Sequence, residues 1–361
     1  MDSITQSVKQ ELKAILGEEH VLTDAEELTY YSQDVFWEGE MAAAVIRPQT
    51  KDDLARAVSV IAAAGYAMTS RGGGMSYTQG YIPQQEKTVV IDTSCLNRII
   101  SINEEDMYVT VEAGCTWAQI YDALKQRGLR TPYYGPMSGL VATIGGTLSQ
   151  NSLFYGSGTY GTAAESVLAL SVITADGTII RTGSSANRAG EPFYRFYGPD
   201  LTGLFLADAG ALGIKVEATL RVIPSPAATE YASFAFDTFY DMVDAQIAIA
   251  REQLATECFG LDPYLNGARS EVKDVKSGIA ALASVATSEK NLAQGIKSAF
   301  AVAKAGTGFL ENVQYTLHIT ADAPTAEHAA WKLSRINQIC TAKGEALEDS
   351  IPRVMRATPF Q

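Results

Sequence analysis

The sequence predicts an α+β protein in two domains, and three observations carry that expectation. Helical periodicities alternate with short β-rich runs between residues 42 and 128, and a second set of β-rich runs ends at Ile223. Beyond Pro224-Ser225-Pro226 the texture changes to longer, partly alanine-rich helical stretches separated by single strands. A chain of 361 residues has material for about two cores, and the Pro-Ser-Pro step places the boundary so that the domains are 1–225 and 226–361.

Taken in order, Ile4, Val8, Leu12 and Ile15 recur at helical spacing up to Gly17, and a second helix is expected over 24–31, the two forming a packing arm. Residues 42–46 read as a strand closed by Arg47-Pro48. A helix over 51–64 follows, capped by Thr50 and stopped by Gly65, and a strand over 66–68 runs into three consecutive glycines. Strands are expected at 88–92, 99–102 and 108–112, and a helix over 116–127 ended by Gly128. From Val167 to Arg181 two β-branched runs flank Asp176-Gly177, a hairpin signal, and 215–223 is a further strand. The second domain reads as strand 231–236, helix 239–254, strand 257–261, helix 270–304, strand 312–320 and helix 325–343.

Composition narrows the function classes. Hydrophobic residues make up 47% and charged ones 19%, the balance of an ordinary globular protein. Lys plus Arg number 28 against 41 acids, a net charge of −13 that repels nucleic-acid phosphates and anionic lipid. An anionic cofactor would therefore have to be held by local backbone dipoles. Cys95, Cys115, Cys258 and Cys340 are scattered without Cys-x-x-Cys spacing, so neither a disulfide framework nor a metal site is expected. The N-terminal stretch carries acids and no apolar core, and no run reaches the ~18 apolar residues of a membrane span, which points to the cytoplasm.

Three glycine clusters are the candidate site. Arg71-Gly72-Gly73-Gly74-Met75-Ser76 follows a strand, where glycines let successive amides turn toward one point and cradle an anion without lysine. Pro136-Met137-Ser138 with Thr143-Ile144-Gly145-Gly146 is the second cluster, and Tyr155 to Gly161, containing Tyr160-Gly161, the third. The alternative for each is a tight turn between elements.

These segments, with the Asp176-Gly177 hairpin and the Gly213-Ile214 step into a strand, resemble in sequence order the motifs of the vanillyl-alcohol-oxidase, or PCMH-type, FAD-binding family over about residues 20–226. The resemblance implies an FAD-binding domain of two α+β subdomains followed by a smaller cap domain that is C-terminally short. By it, the amides of Gly72, Gly73, Gly74, Met75 and Ser76 bind the FAD pyrophosphate. Pro136, Ser138, Thr143, Gly145 and Gly146 line the ribityl chain and flavin, Gly213 and Ile214 run along the ring or adenine, and Arg71, Tyr160 and Gly161 complete the cofactor set. Members that attach FAD covalently here carry histidine where this chain has Met75, so non-covalent FAD is implied. The implied activity is hydride removal from a small hydroxy acid or phenolic alcohol, with electrons passed to an acceptor that no motif identifies. The short cap implies an oligomer or a second subunit that completes it, and the alternative is an FAD-binding subunit inactive alone. A nicotinamide-using cell-wall reductase branch shares the fold but fits the glycine region less well. His318 is the candidate proton acceptor, being the histidine on an expected cap-domain strand.

Overall fold

The structure is a computed structural model that describes residues 4–271, 313–357 and 359–360. The described chain separates into two units, one formed by residues 1–153 and 162–224 and the other by 154–161 and 225–361.

In the first unit, α1 (Gln6–Leu16) and α2 (Ala25–Tyr31) form the arm, and β1 (Val21–Leu22) lies between them. A strand–helix–strand run follows: β2 (Ala44–Ile46), α3 (Lys51–Ala63) and β3 (Ala67–Arg71), then β4 (Thr88–Asp92). Together β1-β2-β4-β3 make a four-stranded sheet in which β2, β4 and β3 run parallel. The Thr50 hydroxyl accepts the Asp53 N–H and so caps α3, as the sequence predicts. Leu54, Ala57, Val58 and Ile61 of α3 pack with Leu12 of α1 and Val89 and Ile91 of β4 in one apolar cluster.

The second sheet of this unit is antiparallel, in the order β5-β6-β10-β8-β9. It uses β5 (Ile99–Asn103), β6 (Tyr108–Glu112), β8 (Val167–Ile173), β9 (Ile179–Arg181) and β10 (Ile214–Arg221), with α4 (Trp117–Lys125) after β6. The Asp176-Gly177 turn joins β8 and β9 as a hairpin, and Ile173, Ile214 and Val216 reach the cluster that covers the first sheet. A short pair, β7 (Leu129–Arg130) with β11 (Ile223–Pro224), closes the unit. The sequence predicts one strand over 215–223, whereas Val222 falls outside both β10 and β11.

The second glycine cluster, 135–147, expected as a loop, instead turns into a helix from Ile144 on, α5 (Ile144–Gln150), with Thr143 as its N-cap. Gly-Gly-Thr is a poor helix sequence, and here tertiary packing supplies what propensity lacks.

In the second unit, β12 (Ala228–Phe236), β13 (Glu257–Leu261), β14 (Tyr315–Ala323) and β15 (Glu345–Leu347) form an antiparallel sheet in the order β13-β14-β12-β15. Two helices, α6 (Phe239–Arg251) and α8 (Ala326–Cys340), cover one face, where Phe234, Leu317 and Ile319 pack against Met242, Ile249 and Ile336. The opposite face of β14 presents Thr316, His318, Thr320 and Asp322, all buried, with α7 (Pro263–Glu271) and α9 (Ser350–Ala357) against that strand. The helix predicted over 270–304 falls almost wholly outside the described residues. Residues 154–161 dock on β13 and the residues before it: Gly158 N–H donates to the Thr256 carbonyl at 2.8 Å, the Thr159 hydroxyl to the Ala255 carbonyl at 3.0 Å, and Gly156 N–H to the Glu257 carboxylate at 3.0 Å.

Phe234 is 1% exposed at the centre of this packed face. Phe234→Ala is expected to destabilise the second unit by about 3–5 kcal/mol, read as a lower urea midpoint; an unchanged midpoint would refute that packing.

Candidate cofactor site

The C-terminal ends of the parallel strands β3 and β4 are where this site is built. Arg71 and Asp92 are the last residues of the two strands and lie side by side in the ladder, and the Arg71 carbonyl accepts the Thr93 N–H at 2.9 Å. In open parallel sheets this edge is the usual ligand side.

The glycine run that leaves β3 meets the 141–143 segment closely, at backbone from Gly73 and at the N-cap hydroxyl from Gly72. A Cβ on Gly72 would lie 2.1 Å from Thr143 Oγ1, and one on Gly73 would lie 2.0 Å from the Val141 carbonyl oxygen, so any side chain there forces the two segments apart. Further along, the Thr78 hydroxyl donates to Gln150 Oε1 at 3.2 Å. The loop therefore runs beside α5 from its N-cap to its last residue. A third segment joins them: Ala207 and Ala209 donate N–H bonds to the carbonyls of Leu148 and Ser149, both at 3.0 Å, closing the C-terminal end of α5.

That third segment is strained. Ala207, Ala209 and Gly210 have φ of 55°, 51° and 79°, and the two alanines stand in a region that costs on the order of 1 kcal/mol per residue. What holds them is a buried ion pair, Lys215 Nζ to Asp208 Oδ1 at 2.6 Å with both side chains at most 3% exposed. The Asp208 carboxylate also accepts the Gly210 N–H at 3.0 Å. Burial pushes the Lys215 ammonium below its ordinary pKa, and Asp208 opposes that shift.

The cradle's own donors decide whether an anion fits. Among the described residues, the N–H groups of Gly72, Gly73, Gly74, Met75, Ser76 and Tyr77 donate no hydrogen bond, although Gly72 to Gly74 are half-buried. Half-buried amides without acceptors are costly, and a run of them beside a helix suits the oxygens of a pyrophosphate. Behind the loop, Arg71 is 7% exposed and makes no salt bridge among the described residues. Its guanidinium lies 4.8, 5.1 and 4.9 Å from the ring centroids of Tyr30, Tyr31 and Tyr81, and Nη1 donates to the carbonyls of Tyr30 and Gln33 at 3.3 and 3.1 Å. Its charge thus stands behind the amides.

The other predicted residues divide. Pro136 and Ser138 are half-buried and Gly146 is exposed, and the Ser138 carbonyl accepts the Val141 and Ala142 N–H groups at 3.0 and 2.8 Å, leading the chain into the 141–143 segment. Thr143 is committed as N-cap, and Gly145 gives its N–H to the Ala113 carbonyl at 2.7 Å while lying against Ala113, so its glycine is required by packing. Gly213 is half-buried just before β10, and Ile214 is buried as that strand's first residue, paired with Ile173. Tyr160 and Gly161 end the one-turn helix Ser157–Tyr160 in the second unit, whereas the remaining cofactor candidates lie in the first. The tyrosine wall of Tyr30, Tyr31 and Tyr81 has no sequence signal, since its members are brought to Arg71 only by the fold.

His318 is fully buried in the second unit's sheet. Its Nδ1 lies 2.9 Å from the Ser233 hydroxyl, its Nε2 2.9 Å from the Thr316 hydroxyl, and its ring 5.3 Å from that of Phe259. The Thr316 hydroxyl also donates to Asn266 Oδ1 at 3.1 Å, so the histidine joins a chain of polar side chains inside the sheet. Both ring nitrogens are thereby committed within the sheet.

Comparison with known proteins accords with this geometry. Residues 42–183 match the family model described as an FAD binding domain. The chain is 31% identical over 252 residues to glycolate oxidase subunit GlcD of Bacillus subtilis (strain 168), which covers 68% of this chain and 52% of that protein. It is 26% identical over 220 residues to the mitochondrial D-lactate dehydrogenase [cytochrome] 1 of Saccharomyces cerevisiae, covering 60% and 36%. The chain thus spans about half or less of the length of these relatives. Among solved structures, p-cresol methylhydroxylase with substrate bound superposes with a TM-score of 0.76 at 20% identity, over 99% of this chain and 70% of that one. Alkyldihydroxyacetonephosphate synthase gives 0.74 at 18%, over 99% and 65%. At those identities the structural likeness establishes the fold.

Gly73→Ala should destabilise the first unit by about 1–3 kcal/mol in the absence of any ligand, because the clash is with backbone, which cannot rotate away. Chemical denaturation checks this, and wild-type stability would refute the contact with Val141.

Proposed function

We propose that the chain, whose residues 42–183 match an FAD binding domain, belongs to the PCMH-type FAD-linked oxidases and is an FAD-dependent oxidoreductase acting on a small hydroxy acid. The observation that carries the reading is the run of unpaired amides from Gly72 to Tyr77, seated against 141–143 and backed by the Arg71 charge. Those amides would hold the pyrophosphate, while Pro136, Ser138 and Gly146 border the path onward. FAD, when bound, supplies the hydride-accepting chemistry. The hydroxy-acid class is supported by the names of two of the relatives, a glycolate oxidase subunit and a D-lactate dehydrogenase. A phenolic alcohol, the other class the sequence suggests, rests on structural neighbours of low identity alone.

The attachment we infer is non-covalent, since the thioether of Met75 offers no nucleophilic nitrogen at the loop. His318 is left out as proton acceptor, because its two nitrogens are bound to Thr316 and Ser233 inside the sheet. A second reading, in which this chain binds FAD but works only with a further polypeptide, is favoured by one fact: the Bacillus relative is itself named a subunit. We place the protein in the cytoplasm on its four free thiols, Cys95, Cys115, Cys258 and Cys340. No helix among the described residues is long and apolar enough to cross a membrane.

The purified protein is expected to be yellow and to release intact FAD on acid precipitation; flavin retained by the precipitated peptide would refute non-covalent attachment. Anaerobic addition of glycolate or D-lactate should bleach the flavin absorbance. A flavin-loaded protein that bleaches with neither, and only with a phenolic alcohol, would overturn the substrate class.

A further inference from the structure

Tyr81 sits below the glycine loop, 6% exposed, and its hydroxyl donates to two carbonyls of that loop, Gly74 and Ser76, each at 2.8 Å. One phenolic proton is shared between two acceptors, so both carbonyls are drawn to one point. In a trans peptide the N–H points opposite to the C=O of the same unit, and the described chain contains no cis bond. Drawing in the carbonyls of Gly74 and Ser76 therefore turns the N–H groups of Met75 and Tyr77 to the other side of the loop. The same ring forms one wall around the Arg71 guanidinium, whose Nη2 lies beside Gly74. Burial raises the Tyr81 phenol above its ordinary pKa, so the shared proton is retained at neutral pH.

We propose that Tyr81 is the positioning residue of the anion cradle: it aims the amides of Met75 and Tyr77 at the pyrophosphate and fixes Arg71 behind them. Tyr77 thereby joins the cradle through its backbone. This rests on the FAD reading above and extends it to a residue outside the glycine motif. Neither the Tyr81 hydroxyl nor the Arg71 guanidinium touches the ligand in this scheme, since the hydroxyl is spent on carbonyls and the guanidinium is packed among rings and carbonyls.

The test compares FAD with riboflavin, which lacks the pyrophosphate, on apo-protein of the wild type and of Tyr81→Phe, using quenching of flavin fluorescence. Phenylalanine keeps the ring beside Arg71 and removes only the hydroxyl. The expected result is FAD binding weakened about tenfold or more with riboflavin binding unchanged. Equal losses for both ligands, or no loss for either, would overturn the proposal. Wild-type protein that binds neither ligand would instead overturn the FAD reading itself. Should Tyr81→Phe fail to fold, hydrogen exchange on the wild type decides: the peptide spanning residues 72–78 should exchange more slowly with FAD present but not with riboflavin, and unchanged exchange with FAD would refute the inference.

Discussion

The first unit depends on two backbones touching. Gly73 lies against the Val141 carbonyl and Gly72 against the Thr143 hydroxyl, so that no side chain can stand between the two segments. That approach sets the glycine loop beside α5, lets Thr78 reach Gln150, and leaves the N-cap threonine between two segments that are far apart in sequence. The contact also explains why α5 forms from so poor a helical sequence. The helix is fixed by its neighbours, with the Gly145 N–H held by Ala113 and its far end closed by Ala207 and Ala209.

Electrostatics at the cradle is local. A protein with a net charge of −13 repels anions at long range, yet near the loop the charges are the amide dipoles, the buried Arg71 guanidinium and the Asp34 carboxylate, which accepts the Gln79 N–H at 3.0 Å. Arg71 is kept buried without a carboxylate partner by three aromatic faces and two carbonyls. Asp92, the nearest candidate by register, is instead engaged by the Tyr31 hydroxyl at 2.6 Å.

Much of this was readable from residues alone, and the limit is physical. Apolar spacing and caps located α1, α3, the β8–β9 hairpin and, apart from the two-residue β1, the strands of the first unit's two large sheets, because those signals are local. The glycine run marked the cradle, since glycine is demanded wherever backbones must meet. What could not be read is what lies far along the chain but close in space: Tyr30 and Tyr31 reach Arg71 from an arm about forty residues away, and Tyr81 looks like any loop tyrosine. Periodicity missed α5 because tertiary packing overrides propensity there, and it missed β15 and α9 because each is short. His318 shows the reverse case. Its chemistry suggests a proton acceptor, and the structure places it in the ladder between Ser233 and Phe259, with Nδ1 2.9 Å from the Ser233 hydroxyl.

The docking of residues 154–161 on β13 means that the chain passes between its two units three times: after Leu153, after Gly161 and after Pro224. The second unit is therefore not a contiguous module. A recombinant fragment beginning at Ser225 would lack the Gly156 and Gly158 amides and the Thr159 hydroxyl that its own β13 region accepts. Exchange of the second unit between relatives, whether by gene shuffling or in the laboratory, must carry this eight-residue insert along with the C-terminal part. A crossover placed only at the Pro-Ser-Pro step would graft a sheet onto a foreign edge, so heritable change in this half of the protein is constrained by a stretch encoded within the other.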